Sequence, residues 1–318
     1  MRTTLFTILI LFFTFKLNAK IVKDSLDIHY DSIGNWNQSN SFQLILTQNS
    51  FLNWSAGGNN SISGIIKVHS TKEYRYKHLV WNNELKVNYG LNKEAKRELR
   101  KTEDKFELNS TFWYRNNTES NWYYSAKFNF NTQVSKGYKY PNTDKPISNI
   151  MAPGYLFLGI GSEYFSKKNN LRLYLSPLTN KTTFVLRQSL ANEGAFGVKP
   201  ATYDENGLLL KEGNNVKSEF GQLVTCEWKT EVMENILMAN KLILYSDYLR
   251  NYGNVDVNWE LNFDMTINKY VSANFGTHLK YDNETKHKAD IDEDGELDIL
   301  GPRVQLKQLL GIGFSYKF

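Results

Sequence analysis

The chain carries one cysteine, Cys226, among 318 residues, so no internal disulfide framework holds it together. Prolines number only six. Long apolar runs are missing except at the start, where Leu5 to Phe15 form one. Beyond it no stretch of about 18 apolar residues occurs, which excludes a membrane-spanning helix. A dominant charge is also missing. The formal net charge of +5 falls to 36 basic against 33 acidic residues once Arg2 and Lys16 are set aside. That balance gives no reason to expect a polyanionic partner such as nucleic acid.

The opening run has the anatomy of an export signal. Arg2 supplies a positive n-region, and Leu17-Asn18-Ala19 ends on a small residue for cleavage. The sequence therefore predicts a signal peptide over 1–19, a periplasmic N-terminal tail over 20–39 and a barrel over 40–318. Lys20, not cysteine, follows Ala19, which excludes a lipid anchor at a new N-terminal cysteine.

What the chain does have is aromatics, at 14%, together with a mean hydropathy of −0.50. Those two facts conflict for a compact soluble core but suit a barrel with a wet interior. The dominant pattern is alternation at period 2. In "VDVNWELNFDMTIN", Val255 to Ile267 alternate without error against Asp256 to Asn268. "SNWYYSAKFNFNTQ" and the C-terminal "PRVQLKQLLGIGFSYKF" behave alike. Runs of about 12 to 17 residues exceed the soluble mode of about 5–6 and are long enough to cross a bilayer.

Placing such runs gives about twelve strands, near 40–50, 61–74, 78–91, 104–116, 120–134, 154–166, 169–190, 217–232, 236–249, 254–268, 270–281 and 303–318. The fold class predicted is all-β: a transmembrane antiparallel up-and-down β-barrel. Short connections alternate with long ones, which puts both termini in the periplasm of a Gram-negative cell. "RNYG" is the exception, being short where a long connection is due. Pro177 falls inside 169–190 and calls for a bulge or a break. The last strand ends on Phe318, resembling the signal read by the barrel assembly machinery, a partner this reading expects alongside outer-membrane lipid.

The blocks "NWSAGGNNSISG", "WNNELKVNYGL", "NIMAPGYLFLGIGSEY", "LSPLTNKTTFV", "NYGNVDVNWELNFDM" and "GPRVQLKQLLGIGFSYKF" occur in this order. Together they resemble the Bacteroidota domain-of-unknown-function family 3078, from about residue 40 to the end. The resemblance implies an outer-membrane barrel and lends no activity and no catalytic residues.

Three motifs invite chemistry. "FLNWSAGGNNSISG" looks like a phosphate loop, but an alternating strand follows instead of a helix, so Gly57 to Asn60 read as a hairpin turn. Phe51, Leu52 and Trp54 beside it are expected to anchor at the membrane interface or to fold inward as a plug. "GIGS" at 159–162 and "GIGF" at 311–314 lie within strands and read as inward glycines that give neighbouring side chains room. "DIDEDGELD" sets Asp290, Asp292 and Asp294 at loop positions 1, 3 and 5 and Asp298 at position 9, an oxygen-rich set for Ca²⁺. Gly301 stands where a calcium loop has its bidentate glutamate, so any binding is weak. No other cofactor is expected.

No enzyme is predicted, because none of the five histidines has a forced serine partner. Cys226 shares the lipid-facing series with Phe220, Val224 and Trp228, where a thiol acts as a small apolar group. The opposite, inward series is Glu84, Lys86, Glu107, Arg115, Lys127, Arg172, Arg187, Glu219, Glu227, Lys229, Asp256, Glu260, Asp264, Lys280 and Lys307. Eight strands leave room only for side chains and 16–18 leave an aqueous channel, so about twelve is intermediate. Two outcomes follow: a narrow channel for small polar solutes, with Asp256, Glu260 and Asp264 as an acidic stripe, or a barrel closed by paired charges. A non-conducting barrel with ligand-binding loops and a soluble exported barrel are the alternatives.

Overall fold

A computed structural model describes residues 34–50, 60–117, 119–250, 252–268, 270–283, 286–289 and 298–317. Twelve strands close into one antiparallel barrel. They are β1 (Asn35–Asn49), β2 (Ser61–Tyr76), β3 (Leu79–Glu94), β4 (Arg100–Tyr114), β5 (Trp122–Thr132) and β6 (Gly154–Ser166). The second half is β7 (Leu171–Phe184), β8 (Val216–Met233), β9 (Ile236–Asp247), β10 (Asp256–Thr266), β11 (Val271–Tyr281) and β12 (Gln305–Lys317). Each strand pairs with its neighbours in sequence, and β1 pairs with β12 to close the ring. Closure leaves no open sheet edge. Among the described residues no helix is long and apolar enough to cross a membrane.

The connections 77–78, 115–121, 167–170, 234–235 and 267–270 lie at one end, with the start of β1 and the end of β12. The connections 50–60, 95–99, 133–153, 185–215, 248–255 and 282–304 lie at the other. The short "RNYG" thus sits at the long-connection end after all. Several boundaries differ from the sequence reading. β1 begins at Asn35, inside the expected tail, and pairs from Asn35↔Arg75 onward. Its lower half was hidden because Gln38 and Asn40 make the outward series polar there. The expected long loop "NKEAKRELRKTE" shrinks to 95–99, since β4 starts at Arg100 and pairs through Asn92↔Arg100 across a bulge.

Pro177 makes a bulge and does not split its strand. The ladder with β6 runs Ile160↔Leu178 and then Ser162↔Leu175; with β8 it runs Gly221↔Thr179 and then Leu223↔Ser176. Proline has no N–H to donate, so the ladder skips there. The Ser176 hydroxyl fills in, donating to the Ile160 carbonyl at 2.9 Å. The run ends at Phe184, short of the expected 190. Beyond it Gln188–Asn192 form a short helix, α1, whose Leu190 and Ala191 pack with Val185, Val198 and Ala152 in a small core at the long-connection end.

Candidate functional site in the barrel lumen

Strand registers put one residue in two inside the barrel, and the inside is packed with charge. Near the short-turn end on the β3–β6 side, Val80, Trp113, Tyr123 and Phe165 form a buried block. Phe165 meets Trp113 and Tyr123 edge-on, with centroids 5.6 and 5.0 Å apart. The Arg172 guanidinium lies over Phe165 at 5.0 Å. Glu163 is 1% exposed and accepts from the Trp113 indole N–H at 2.6 Å, with Lys127 Nζ at 2.9 Å. A buried carboxylate needs such donors to stay charged.

Further along the lumen, the Glu84 carboxylate takes His69 at 2.7 Å, Lys86 at 2.8 Å and the Asn109 amide at 3.0 Å. Lys241 stands 3.3 Å from Glu227. Toward the long-connection end, Lys181 bonds Asp256 at 2.7 Å, and Lys307 bonds Glu103. These last two contacts join strands that are not neighbours. Lys105 on β4 goes further and stands 3.6 Å from Glu260 on β10. Those strands are six apart in either direction around the ring. One ion pair therefore bridges the whole lumen, with both side chains about 30% exposed.

The opposite wall is thin. Gly276, Gly311 and Gly313 face inward on β11 and β12, and a Cβ on Gly311 would lie 2.5 Å from Ile45 Cγ2. Ile45 packs against Gly311 and Gly313 and is only 2% exposed, while Gly276 faces Asn262. Gln43 likewise reaches across β12 to Ser272 and Asn274, at 3.2 Å each. Asn262 and Asp264 beside them are exposed. Aromatics thus block one side while small polar groups line the other. Gly159 plays the opposite part: a Cβ there would meet the Tyr174 hydroxyl at 2.7 Å.

Most of the expected lumen charges face inward: Glu84, Lys86, Glu107, Lys127, Arg172, Glu219, Glu227, Asp256, Glu260, Asp264, Lys280 and Lys307. Arg115 follows the last residue of β4 and stacks on Tyr123 at 5.1 Å. Lys229 shares the inward register but is exposed at the short-turn end. Arg187 is a correction. Its strand ends at Phe184, so it precedes α1 and bonds Ser189 at 3.0 Å. The acidic stripe is also broken up, because Asp256 and Glu260 are spent on Lys181 and Lys105.

Sequence reading did not single out Glu103, Lys105, Glu163, Lys181, Lys217 or Lys241. Phe51, Leu52, Trp54, Asp290, Asp292 and Asp294 lie outside the described residues, as do the Asp298 side chain, residues 1–33 and Phe318. His69 contacts Glu84 and, at 3.3 Å, the Thr71 hydroxyl through the same Nε2. A relay needs both ring nitrogens, so this is not one. Among the described residues no group of three or more His, Cys, Asp or Glu side chains is arranged to hold a metal.

No curated protein matches the chain. Solved structures similar to it include the translocator domain of autotransporter NalP from Neisseria meningitidis, at 10% identity and TM-score 0.37, covering 90% of each chain. The COG4313 outer membrane channel from Pseudomonas putida F1 is 10% identical at TM-score 0.40, covering 93% of this chain and 99% of that one. OmpT, an outer membrane protein of Vibrio cholerae, is 9% identical at TM-score 0.30, covering 92% and 100%. Similarity this low lends the chain no activity. Over residues 46–138, a narrower span than the sequence resemblance implied, the chain is similar to a family described as Protein of unknown function (DUF3078).

Proposed function

We propose that this protein is a β-barrel of a Gram-negative outer membrane that passes only ions and small polar solutes, through an off-centre lumen constricted by Lys105 and Glu260. Support for the membrane comes from the inversion of sides. Phe42, Ile66, Phe112, Leu158, Leu178 and Phe314 point outward and are each more than a third exposed, while Glu107, Glu163, Lys181 and Glu219 are buried inside. Such a surface suits lipid and not water. Trp36, Tyr74 and Trp81 cluster on the outer face near the short turns, with centroids 5.2 and 5.8 Å apart. Phe220, Tyr248 and Tyr252 cluster at the other end, at 6.0 Å spacings. Aromatic bands at both ends are what two membrane interfaces favour.

On this reading the short turns and both termini are periplasmic, and the terminal strand addresses the barrel assembly machinery. The protein acts without catalysis. The loop bearing Asp290, Asp292, Asp294 and Asp298 takes up Ca²⁺ weakly. Calorimetric titration checks that, and no Ca²⁺ heat at millimolar concentration, or heat unchanged in Asp292→Ala, refutes it.

The observation that carries the conduit is the Lys105–Glu260 pair, which joins opposite strands of the ring with both side chains about 30% exposed. Planar-bilayer recording tests it. Wild-type protein gives small single-channel steps, and Glu260→Ala, which removes the bridge, enlarges them. Silence from both would leave a closed structural barrel, the reading that the buried aromatic block favours.

A further inference from the structure

On the outer face of β1 to β4 the apolar series is interrupted. Gln38, Lys72, Asn83 and Ser110 stand in one register row across the four strands. Asn40 and Ser70 pair in the next row, one step further from the short turns. The row on the turn side is Trp36, Tyr74 and Trp81, and the row beyond Asn40 is Phe42, Val68 and Val87. This polar strip therefore lies on the membrane side of the aromatic band. The outward polar set on β7 and β8 is placed differently. Asn180, Thr182 and Ser218 lie level with Phe220 or beyond it, toward the long connections.

Hydrogen bonds within the strip engage its acceptors. The Ser70 hydroxyl donates to Asn40 Oδ1 at 2.7 Å, and the Ser110 hydroxyl to Asn83 Oδ1 at 2.8 Å. The Trp81 indole N–H turns toward the strip and donates to Ser110 Oγ at 2.9 Å. The donors are left over. Among the described residues, the Asn40 and Asn83 amide N–H groups and the exposed Lys72 ammonium donate to nothing. The strip thus offers surplus donors and one positive charge.

A lone ammonium on a lipid-facing wall is costly, and a phosphate oxygen meets it with a charge-assisted hydrogen bond. A second copy of this chain would bring the same surplus of donors to the contact. A zwitterionic headgroup would add an ammonium of its own. An anion whose remaining groups are neutral matches the strip best.

We propose that this strip seats the phosphate of an anionic phospholipid, with Lys72 and the Asn83 amide on its oxygens and Trp36, Tyr74 and Trp81 flanking the headgroup. The inference rests on the proposed function for the membrane, and not for the conduit.

The test is native mass spectrometry of the full-length, detergent-folded barrel given equimolar dioleoyl phosphatidylglycerol and dioleoyl phosphatidylcholine. Wild-type protein retains phosphatidylglycerol about five- to tenfold over phosphatidylcholine, the scale of one lysine's attraction to anionic lipid plus its hydrogen bonds. Lys72→Gln brings the preference below about twofold, and Lys72→Arg, which keeps the charge, retains it. Lys168→Gln, in connection 167–170, leaves it unchanged. Equal retention of the two lipids by wild-type protein, or a preference unaltered in Lys72→Gln, overturns the proposal. So does an equal fall in Lys168→Gln, or a dimer that forms through the strip and excludes lipid. The wild-type comparison decides even where a variant misfolds. A conducting barrel without the preference refutes the strip alone, and a silent barrel that shows it refutes the conduit alone. Recovery of the chain in the soluble fraction removes the membrane on which both rest.

Discussion

Glu163 is the side chain whose loss the lumen should tolerate least. Its Oε2 accepts from the Trp113 indole at 2.6 Å and the Ser125 hydroxyl at 3.3 Å, and Lys127 Nζ stands 2.9 Å away. Glu163→Leu removes the acceptor for all three donors at once. Deleting one partner of a buried ion pair costs about 3–5 kcal/mol. The Lys127 side chain is 24% exposed, and partial hydration puts the expected loss toward the lower figure, about 3 kcal/mol. Glu163→Gln keeps an oxygen for Trp113 and forfeits only the charge, at about 1–2 kcal/mol. The decisive construction is Glu163→Leu with Lys127→Met, which removes both charges together. A buried pair replaced by apolar groups is often neutral, so the double variant should recover about 2 kcal/mol of the single loss. Equilibrium guanidinium unfolding of the barrel in lipid vesicles, followed by tryptophan fluorescence, measures all four proteins. A Glu163→Leu loss under about 1 kcal/mol, or strictly additive losses in the double variant, would refute the buried-pair argument.

Glu260→Lys and Asp264→Lys should each move ion preference toward anions, read as a shift in reversal potential under a salt gradient; no shift in either takes both residues off the conduction path. Gly161→Val should cost more than the ~1–3 kcal/mol of ordinary overpacking, because its Cβ would lie 2.0 Å from the Leu175 carbonyl oxygen and 2.7 Å from Ser176 Cα, both backbone. Gly64→Ala meets only Leu46 Cδ2 at 3.4 Å and serves as the tolerated control in the same unfolding assay. Cys226, outward on β8, should react with a lipid-soluble maleimide and resist a charged one in intact vesicles; equal labelling by both would put that face in water.

Legibility of the site varied strand by strand. In β10 every outward residue is apolar and every inward one polar, so the alternation alone places Asp256, Glu260 and Asp264 in the lumen. In β6 both series are largely apolar: Tyr155, Phe157 and Phe165 face in while Leu156, Leu158 and Ile160 face out. Glu163 therefore has no polar–apolar contrast with its neighbours to mark it. The same holds in β9, where Lys241 sits between Ala239 and Ile243. At Lys181 the bulge at Pro177 shifts the alternation, so a plain period-2 count turns that lysine outward.

The sequence by itself determined the strand count, the antiparallel order and which face of most strands meets water. Those properties are local, set by side chains two residues apart and by the turns between strands. Only the tertiary structure decided which inward residues meet. That depends on the stagger around the closed ring, which brings Lys105 on β4 to Glu260 on β10 across the lumen. Alternation says that a side chain points inward; closure and tilt decide what stands opposite it.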